Sequence, residues 1–408
     1  MSACRTILTI IMPPFAADAV VVCGAGAAGI ATALAAARAG ATVVLVESRP
    51  SVGGTVAHTL LHTLGGLYDS AGQLLNRGLP GELIDRLERS SRQVCKRRMG
   101  QVWVLQVCPS VYVRTVRDWL AEETRITVCV NAQVQSVACA DQRIAELHIR
   151  NGATVERIHP GAVVDATGTA EVVRLVNSTL VEDDAPRALG GFVARLRGLA
   201  PDSLVFPRGV GIARQMRAAA ASGELPSECS QAWLDIGVAA DEAYLKLAVP
   251  IPDDWRERQS DLAESAHRHA GAVVEFLRKL WGFENIRLEC CGELGIRDGG
   301  RAVGEYRLTV EDVRQARKCS LSAGRCAWPI EYWDPVAGLR MEHLPEGQHY
   351  DIPLAALKVR DVANLWVAGK CLSADRLAQA SARVVGSCWA MGEAAGYAAA
   401  RGASSHGT

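Results

Sequence analysis

Three glycines near the start of the chain stand at the spacing Gly-x-Gly-x-x-Gly, in Gly24-Ala25-Gly26-Ala27-Ala28-Gly29. A β-branched run precedes them and an alanine-rich run follows, so the pattern predicts a strand, a tight turn and a helix. Gly24 permits the turn, Gly26 lets the backbone approach a phosphate, and Gly29 lets the helix pack closely. Because backbone N–H groups and the helix dipole favour anions at a helix start, the segment predicts a pyrophosphate site.

A carboxylate closes the next predicted strand, where dinucleotide-binding folds hold a ribose. Glu47 stands 18 residues after Gly29, and its carboxylate can accept hydrogen bonds from ribose hydroxyls. The spacing alone does not separate NAD from FAD. The residues predicted to hold the nucleotide in this part of the chain are Gly24, Gly26, Ala27, Ala28, Gly29, Glu47 and Ser48.

Three further segments favour FAD. The paired glycines in residues 51–55 allow a second backbone approach to the same cofactor, and residues 163–168 and 364–371 end short apolar strands in small residues. Gly392 and Gly396 share one face of the following helix, which predicts close packing. Lys370 is alternatively a surface lysine, and Cys371 is expected to pack rather than act as a nucleophile. The further residues predicted to contact FAD are Gly53, Gly54, Thr55, Val134, Ala166, Thr167, Gly168, Gly369, Lys370 and Cys371.

The chain resembles a known family of flavoproteins over about residues 18–400. The fingerprint at the start, residues 294–309, 350–354, 367–373 and 380–384 carry the likeness. They are similar to the bacterial FAD-dependent oxidoreductase family, within the two-dinucleotide-binding-domain flavoproteins of the glutathione-reductase-like fold. The resemblance implies FAD and redox chemistry, and it places Arg383 against flavin or substrate. Two positions depart from the family: Gly300 replaces a Ser, which is expected to alter the substrate pocket, and Lys370 replaces a common Arg.

Two arginines flank the glycine-rich turn Asp298-Gly299-Gly300 and are candidates for substrate binding. Two guanidinium groups on one turn can clamp a carboxylate bidentately, so Arg297 and Arg301 predict an acidic substrate. The alternative is that they bind backbone carbonyls or the acids Glu293 and Glu305. Arg297 and Arg383 are the arginines predicted to take part in catalysis.

Two histidines follow the paired glycines. Either His58 or His62 could take a proton from an amine or alcohol, and either could anchor a flavin covalently. The alternative is that both are ordinary loop residues. We predict His58 to be catalytic and His62 to bind substrate. Tyr306 either faces the pocket or is a buried tyrosine bonded to backbone.

Composition excludes several classes of protein. The 44 basic and 44 acidic side chains give no net charge, which argues against a nucleic-acid binder. The chain has 49% hydrophobic residues, which rules out disorder. The 13 cysteines show no CxxC and no zinc spacing, so reduced thiols in the cytoplasm and no metal are predicted. Residues 19–37 carry no charge, but their glycines favour strand and helix over a membrane span.

The predicted fold class is α/β, a Rossmann-like FAD-binding domain of the glutathione-reductase type with a second, mixed α+β substrate domain. The FAD-binding domain is expected to be discontinuous, at 18–60, 110–170 and 286–408, with 61–109 and 171–285 forming the substrate or cap domain. The pattern predicts helices over 81–98 and 383–400. Residues 1–17 are expected to form an N-terminal arm, and Met12 is an alternative start.

What is missing narrows the chemistry. The segment Gly209-Val210-Gly211 lacks the third glycine of a second fingerprint, and no redox cysteine pair follows the first. We therefore expect oxidation of a C–N or C–OH bond in a small organic substrate by hydride transfer to FAD, with O2 or another acceptor reoxidising the flavin. The alternatives are FAD as a scaffold for a partner, or flavin-assisted elimination without net redox. The oligomeric state is left open, and no membrane or nucleic-acid partner is expected.

Overall fold

The protein is described by a computed structural model over residues 18–183 and 185–404. The expected N-terminal arm and the question of Met12 lie outside the described residues. The strands are β1 (Val20–Cys23), β2 (Val43–Val46), β3 (Thr63–Leu64), β4 (Cys95–Met99), β5 (Val102–Gln106), β6 (Ile126–Cys129), β7 (Ala132–Ala140), β8 (Arg143–Asn151), β9 (Thr154–Ile158), β10 (Ala162–Asp165), β11 (Val181–Glu182), β12 (Gly190–Arg197), β13 (Trp233–Ile236), β14 (Glu242–Val249), β15 (Arg287–Cys291), β16 (Arg301–Ala302), β17 (Ser322–Cys326), β18 (Ile330–Asp334), β19 (Gly338–Glu342), β20 (Tyr350–Pro353) and β21 (Leu365–Val367). The helices are α1 (Ala27–Arg38), α2 (Gly54–His58), α3 (Gly78–Ser90), α4 (Pro109–Glu122), α5 (Glu171–Val176), α6 (Arg208–Ser222), α7 (Gln259–Leu277), α8 (Val310–Arg314), α9 (Arg376–Ala382) and α10 (Val385–Ser404).

A five-stranded parallel sheet forms the centre of the molecule, in the order β21-β10-β1-β2-β6. Val20 in β1 pairs with Ala162 on one side and with Val43 on the other. Every residue of β1, β2 and β10 is buried, as expected for parallel strands covered on both faces. The carboxyl ends of β1, β2, β10 and β21 therefore meet at one edge of the sheet, where ligands bind in open α/β folds.

Helices α1 and α10 pack together through glycines. A Cβ atom built on Gly392 would lie 2.1 Å from the carbonyl oxygen of Ala28, and one on Gly396 would lie 2.4 Å from that of Thr32. The close packing predicted for these two glycines is confirmed. It holds the last helix of the chain against the first, so residues that are far apart in sequence meet beside the predicted nucleotide turn.

A second hydrophobic core lies away from the parallel sheet. The antiparallel sheet β13-β14-β12-β15 packs with α6 and α7 around Phe192, Met216, Leu245, Val273 and Phe283. Strand β3 and helix α3, by contrast, pack in the core of the parallel sheet, and so does α5. The buried residues of this second core lie between residues 192 and 286. The boundaries of the two domains stay a prediction.

Two predicted helices differ in the structure. The predicted helix over 81–98 is α3 followed by strand β4, since the backbone is already extended at Ser91. In β4 the half-buried Arg97 alternates with the exposed Lys96 and Arg98, as the two-residue period of a strand requires. The predicted helix over 383–400 starts later, because Arg383 caps α9 and α10 begins at Val385.

The uncharged segment 19–37 is β1, a turn and most of α1, as predicted. Gly24 has φ +99°, which breaks the segment after four strand residues, and α1 contains only 12 residues. In the part of the chain that the structure describes, no helix has the length and apolarity needed to cross a bilayer.

Candidate cofactor and substrate site

Two of the fingerprint glycines are required by the protein's own packing. Gly24 adopts φ +99°, and a Cβ there would lie 2.5 Å from the carbonyl oxygen of Ala166. A Cβ on Gly29 would lie 1.8 Å from the carbonyl oxygen of Gly24. Since real Cβ atoms never approach oxygen so closely, these positions tie β1, α1 and the end of β10 together. The conformation of the turn is therefore set by the protein's own packing.

Gly26 has a different role. A Cβ atom there would meet only the Cα of Gly54, at 3.7 Å, so protein packing leaves room for a side chain. No side chain caps the start of α1, whose first N–H groups have no partner within the helix. The missing side chain at Gly26 thus leaves the helix start accessible to an anion. The observed cradle fits a pyrophosphate.

The paired glycines close the second side of this space. Gly53 and Gly54 have φ +117° and +51°, and the N–H of Gly53 donates to the carbonyl of Ala25 at 2.8 Å. A Cβ on Gly54 would lie 2.5 Å from the Cα of Gly26, so the two backbones touch. The paired glycines therefore lie against the fingerprint turn, and their approach to the cofactor stays a prediction. Thr55 is exposed in the first turn of α2.

Glu47 lies at the end of β2 and is only 6% exposed. Its Oε2 accepts a hydrogen bond from the N–H of Ala25 at 2.7 Å, and its Oε1 accepts bonds from Ser48 and Arg49. The carboxylate is therefore fixed beside the glycine turn, in the position expected for a ribose ligand. Val134 packs in the same hydrophobic cluster as Val46, the last residue of β2.

The turn after β10 forms a third wall. The N–H of Ala166 donates to the carbonyl of Cys23 at 2.8 Å, so the turn is bonded to β1. Asp165 is fully buried and accepts bonds from Thr167, Val172 and Val173, which hold the turn in shape. Burial raises the pKa of this carboxyl group. Sequence analysis had not singled out Asp165, although an acid at the end of an apolar strand is a visible signal.

The segment after β21 lies against the start of α1 and against the turn after β10. Gly369 has φ +73°, and a Cβ there would lie 2.9 Å from the Cβ of Ala28. The Cys371 sulfur is fully buried and accepts bonds from the N–H groups of Gly168 and Ala170, at 3.1 and 3.3 Å. Burial raises the pKa of this thiol, so Cys371 packs and positions the turn, as expected. We call Gly24–Gly29, Gly53–Gly54, Ala166–Gly168 and Gly369 the cofactor cradle.

Three cations lie close together next to the cofactor cradle. Arg297 donates to the carbonyl of Leu189, Arg383 to that of Glu331 at 3.1 Å, and Lys370 to that of Ile296 at 2.7 Å. Burial lowers the pKa of all three, and the charge of Arg383 further lowers the pKa of Arg297 and Lys370. In the described chain, none of the three forms an ion pair with a carboxylate. Such a group of cations favours an anionic ligand.

A carboxylate held by two indoles lies beside these cations. Glu331 accepts hydrogen bonds from Nε1 of Trp328 at 3.0 Å and Nε1 of Trp333 at 2.9 Å. The guanidinium carbon of Arg297 lies 4.5 Å from the Trp333 ring centre, and Trp233 stacks on Trp333 at 5.0 Å. Sequence analysis missed Glu331, although the spacing Trp328-x-x-Glu331-x-Trp333 was visible. We call Arg297, Glu331, Lys370 and Arg383, with Trp328 and Trp333, the charged cluster.

Gly300 is explained by a close approach of backbone. It has φ +150°, and a Cβ there would lie 2.6 Å from the carbonyl oxygen of Thr169. The neighbouring Asp298 is buried and accepts a bond from the N–H of Ala188, while its Oδ1 has no partner in the described residues. A serine at position 300 would therefore displace the turn at Thr169, so the backbone around this turn requires a glycine here.

Two of the predicted substrate residues lie outside the charged cluster. Arg301 is 2% exposed in β16, where Nε donates to the carbonyl of Ala374 at 3.0 Å and the guanidinium lies 3.6 Å from Glu182. The Tyr306 hydroxyl donates to Asp312 at 2.9 Å, in the group that caps α8. Arg301 thus bonds a backbone carbonyl, as in the alternative given for it above, whereas Tyr306 is half-buried and bonds a carboxylate rather than backbone. The substrate roles of both residues stay predictions.

The two histidines are also separate from each other. The Nε2 atom of His58 lies 3.1 Å from the carbonyl oxygen of Ser51, beside the loop with the paired glycines. His62 is fully buried, lies 3.2 Å from Asp235 and stacks on Tyr244 at 3.7 Å. Burial lowers the pKa of His62 to about 4. It lies where β3 meets the antiparallel sheet, and not in the charged cluster.

Known structures share the fold of the chain. A geranylgeranyl bacteriochlorophyll reductase-like protein from Thermoplasma acidophilum is 12% identical, with a TM-score of 0.50 over 94% of this chain and 77% of that one. A triple mutant of a flavin-dependent brominase is also 12% identical, with a TM-score of 0.50 over 94% and 80% of the two chains. These likenesses show a mixed α/β fold with flavoprotein neighbours. No curated protein matches the sequence.

The family of the chain follows from a match over nearly its whole length. The model for "FAD dependent oxidoreductase" matches residues 19–408. This range includes Glu47, the charged cluster and the cofactor cradle, and the geometry of the cradle fits a pyrophosphate. The protein therefore belongs to the FAD-dependent oxidoreductase family, and its cofactor is FAD.

Proposed function

We propose that the protein oxidises a C–N or C–OH bond in a small organic anion, and that O2 or another acceptor reoxidises the flavin. The observation that carries this proposal is the group of three cations, Arg297, Lys370 and Arg383, beside the cofactor cradle. Each is held by a backbone carbonyl rather than by an acid. Their charge is therefore available to a ligand.

The residues divide the work between binding and charge stabilisation. Bound FAD supplies the acceptor for the hydride that the substrate carbon loses. Arg297 and Arg383 bind the carboxylate of the substrate through their remaining N–H groups and so orient the carbon. Lys370 and the start of α10 would supply positive charge that stabilises an electron-rich cofactor. Trp328 and Trp333 limit the water around these charges.

We keep His58 as the candidate for taking up the proton. If its Nε2 donates to the carbonyl of Ser51, Nδ1 is an acceptor and can receive a proton from the substrate or from water. The contact also ties His58 to the loop that carries Gly53 and Gly54. A His58→Gln variant that keeps full FAD content and turns over much more slowly at pH 7.5 would fit this role.

We also propose that the FAD-binding half has the glutathione-reductase-like arrangement. The order β6-β2-β1-β10-β21 is that of a dinucleotide-binding sheet, and the antiparallel sheet β7-β8-β9 lies between β6 and β10 along the chain. For location, we propose the cytoplasm, because the cysteines in the described residues are free thiols.

The test is an anaerobic screen of the FAD-bound protein. Amines, amino acids and hydroxy acids are added one by one, and bleaching of the visible flavin absorbance is followed. We expect at least one organic acid to bleach the flavin, and an Arg297→Met variant with full FAD content to bleach it much more slowly. If NADH or NADPH bleaches the flavin and no organic acid does, the proposal is wrong and a monooxygenase-type cycle is favoured.

Experiments on the same FAD-bound protein distinguish the two alternative hypotheses, FAD as a scaffold and flavin-assisted elimination. A scaffold protein would keep its photoreduced flavin for hours in air, with no acceptor that speeds reoxidation. Flavin-assisted elimination would form product from a substrate without any bleaching. Either result would replace the oxidation that we propose.

A further inference from the structure

The Glu331 carboxylate in the charged cluster is bonded to neutral donors only. Its two oxygens accept one indole N–H each, from Trp328 and Trp333. Each carboxylate oxygen has a second lone pair, so the group can still accept bonds from a ligand. The indoles fix its position, because both come from the same short segment as Glu331 itself. The charge is thus oriented without being neutralised.

The two guanidinium groups lie within electrostatic reach of this carboxylate but do not pair with it. The Glu331 charge favours the protonated form of both Arg297 and Arg383. Nevertheless, over residues 18–183 and 185–404 no ion pair within 4.0 Å joins the Glu331 carboxylate to either guanidinium, and Arg383 bonds only the backbone carbonyl of Glu331. Opposite charges in a half-buried site usually form direct pairs, since an isolated charge there is costly.

A ligand with two charges would satisfy this arrangement. A carboxylate can bridge to the guanidinium groups, while an ammonium group can bind the free lone pairs of Glu331 and the faces of the indoles. An anion without an amine would leave Glu331 unpaired and would be repelled by it. A neutral amine without a carboxylate would leave the two arginines unpaired.

We infer that the substrate is a zwitterion, an amino acid whose carboxylate binds Arg297 and Arg383 and whose ammonium binds Glu331. This inference rests on the proposed function and narrows it from C–N or C–OH to C–N oxidation. The carbon that bears nitrogen loses a hydride with its two electrons to FAD, and the ammonium loses one proton to His58 or to water. The product is an iminium, which water hydrolyses to an oxo acid and ammonium.

The first experiment compares matched pairs of ligands on the wild-type holoprotein. Each of the common amino acids is tested in the anaerobic bleaching assay beside the 2-hydroxy acid with the same carbon skeleton. We expect at least one amino acid to bleach the flavin about tenfold faster than its hydroxy acid, or more. If hydroxy acids bleach and amino acids do not, the inference is overturned and the proposed function stands. If neither class bleaches, both fall.

The second experiment assigns the amine contact to Glu331. In a Glu331→Gln variant with unchanged FAD content and melting temperature, the dissociation constant of the reacting amino acid should rise about tenfold. The dissociation constant of the matching 2-oxo acid, measured by perturbation of the flavin spectrum, should stay the same or fall, because the repulsion by the Glu331 charge is removed. Equal weakening of both ligands would show that Glu331 only shapes the site.

A third variant tests the same role of Glu331 if Glu331→Gln does not fold. Trp328→Phe keeps the carboxylate charge and the aromatic volume but removes one of the two indole donors. The amino acid should then bind about threefold more weakly, and the oxo acid should bind as in the wild type. An oxo acid that weakens as much as the amino acid would contradict the role given to Glu331.

Discussion

The cofactor cradle is made of backbone, whereas the charged cluster is made of side chains. In the cradle, Gly24, Gly29 and Gly54 lie so close to other backbone atoms that no Cβ fits, at 2.5, 1.8 and 2.5 Å. In the charged cluster, Arg297, Glu331 and Arg383 come from three separate segments, and their side chains are held by backbone carbonyls and by indole N–H groups. The cofactor cradle requires glycines, which have no side chain, whereas the charged cluster requires particular charged side chains.

Because of this difference, we expect substitutions in the two regions to have different effects. Backbone contacts at the cradle serve any ligand that carries a pyrophosphate, so the same glycines are needed whatever the substrate is. The charged cluster has to match one substrate, and its residues are free to differ between relatives. Substitutions should therefore damage folding and FAD binding in the cradle, and only turnover in the cluster.

The largest effect is expected at Gly29. In a Gly29→Ala variant the new Cβ would lie 1.8 Å from the carbonyl oxygen of Gly24, so α1 must move away from β1. We expect the free energy of unfolding to fall by roughly 3 kcal/mol or more and FAD to be lost. Chemical denaturation and the visible spectrum measure the two effects.

Gly26→Ala is the matched control, because its Cβ meets only the Cα of Gly54 at 3.7 Å. This variant should fold normally and bind FAD about 30-fold more weakly, since the methyl group occupies the space for the phosphate. Equal loss of stability in both variants would contradict the division between packing glycines and the ligand glycine.

The next effect is expected in the charged cluster. An Arg383→Met variant should lose about 100-fold in kcat/KM for the substrate anion, because a charged hydrogen bond to its carboxylate is removed. FAD content should stay full, since Arg383 bonds the carbonyl of Glu331 and not the cradle. Arg383→Lys keeps the charge and should lose about tenfold. Loss of FAD in both variants would show that Arg383 belongs to the cradle.

A smaller effect is expected at Glu47, a side chain within the cradle's surroundings. In a Glu47→Gln variant the bond from the N–H of Ala25 can persist, but the charged acceptor for ribose hydroxyls is gone. We expect FAD to bind about tenfold more weakly, with turnover of the FAD-saturated enzyme unchanged. Flavin fluorescence on titration measures the affinity. An unchanged affinity would mean that Glu47 only holds the glycine turn.

The two regions also differ in how well sequence predicts them. The fingerprint, Glu47 and the packing of Gly392 and Gly396 could be predicted because turn and helix spacing follow from local geometry. Glu331 and its indoles could not, since their meeting with Arg297 and Arg383 depends on how β18 lies against α9. Arg301 shows the limit of local spacing: its position beside a glycine turn suggested a clamp, and its side chain is buried in β16 and bonded to the carbonyl of Ala374. The predicted helix over 81–98 was wrong beyond Ser90, because a charged strand and a charged helix end have similar sequences.

The smallest effect on function is expected at His62, which lies in neither region. Its pKa is about 4 because it is buried, against 6.5 for an exposed histidine, so folding keeps the ring neutral. The unfolded chain therefore binds the extra proton first, and stability is full above pH 6.5 and falls as the pH drops towards 4. The total loss is on the order of 3 kcal/mol.

A His62→Phe variant should remove this acid dependence. The phenyl ring can still stack on Tyr244, and Asp235 keeps its contacts to Arg97 and Lys246 at 2.8 and 3.1 Å. We expect unchanged FAD content and turnover at pH 7.5 and a flatter fall in melting temperature on acidification. Since the substitution touches no ligand of FAD or substrate, a large loss of turnover at pH 7.5 would place His62 in the site after all, as the sequence first suggested.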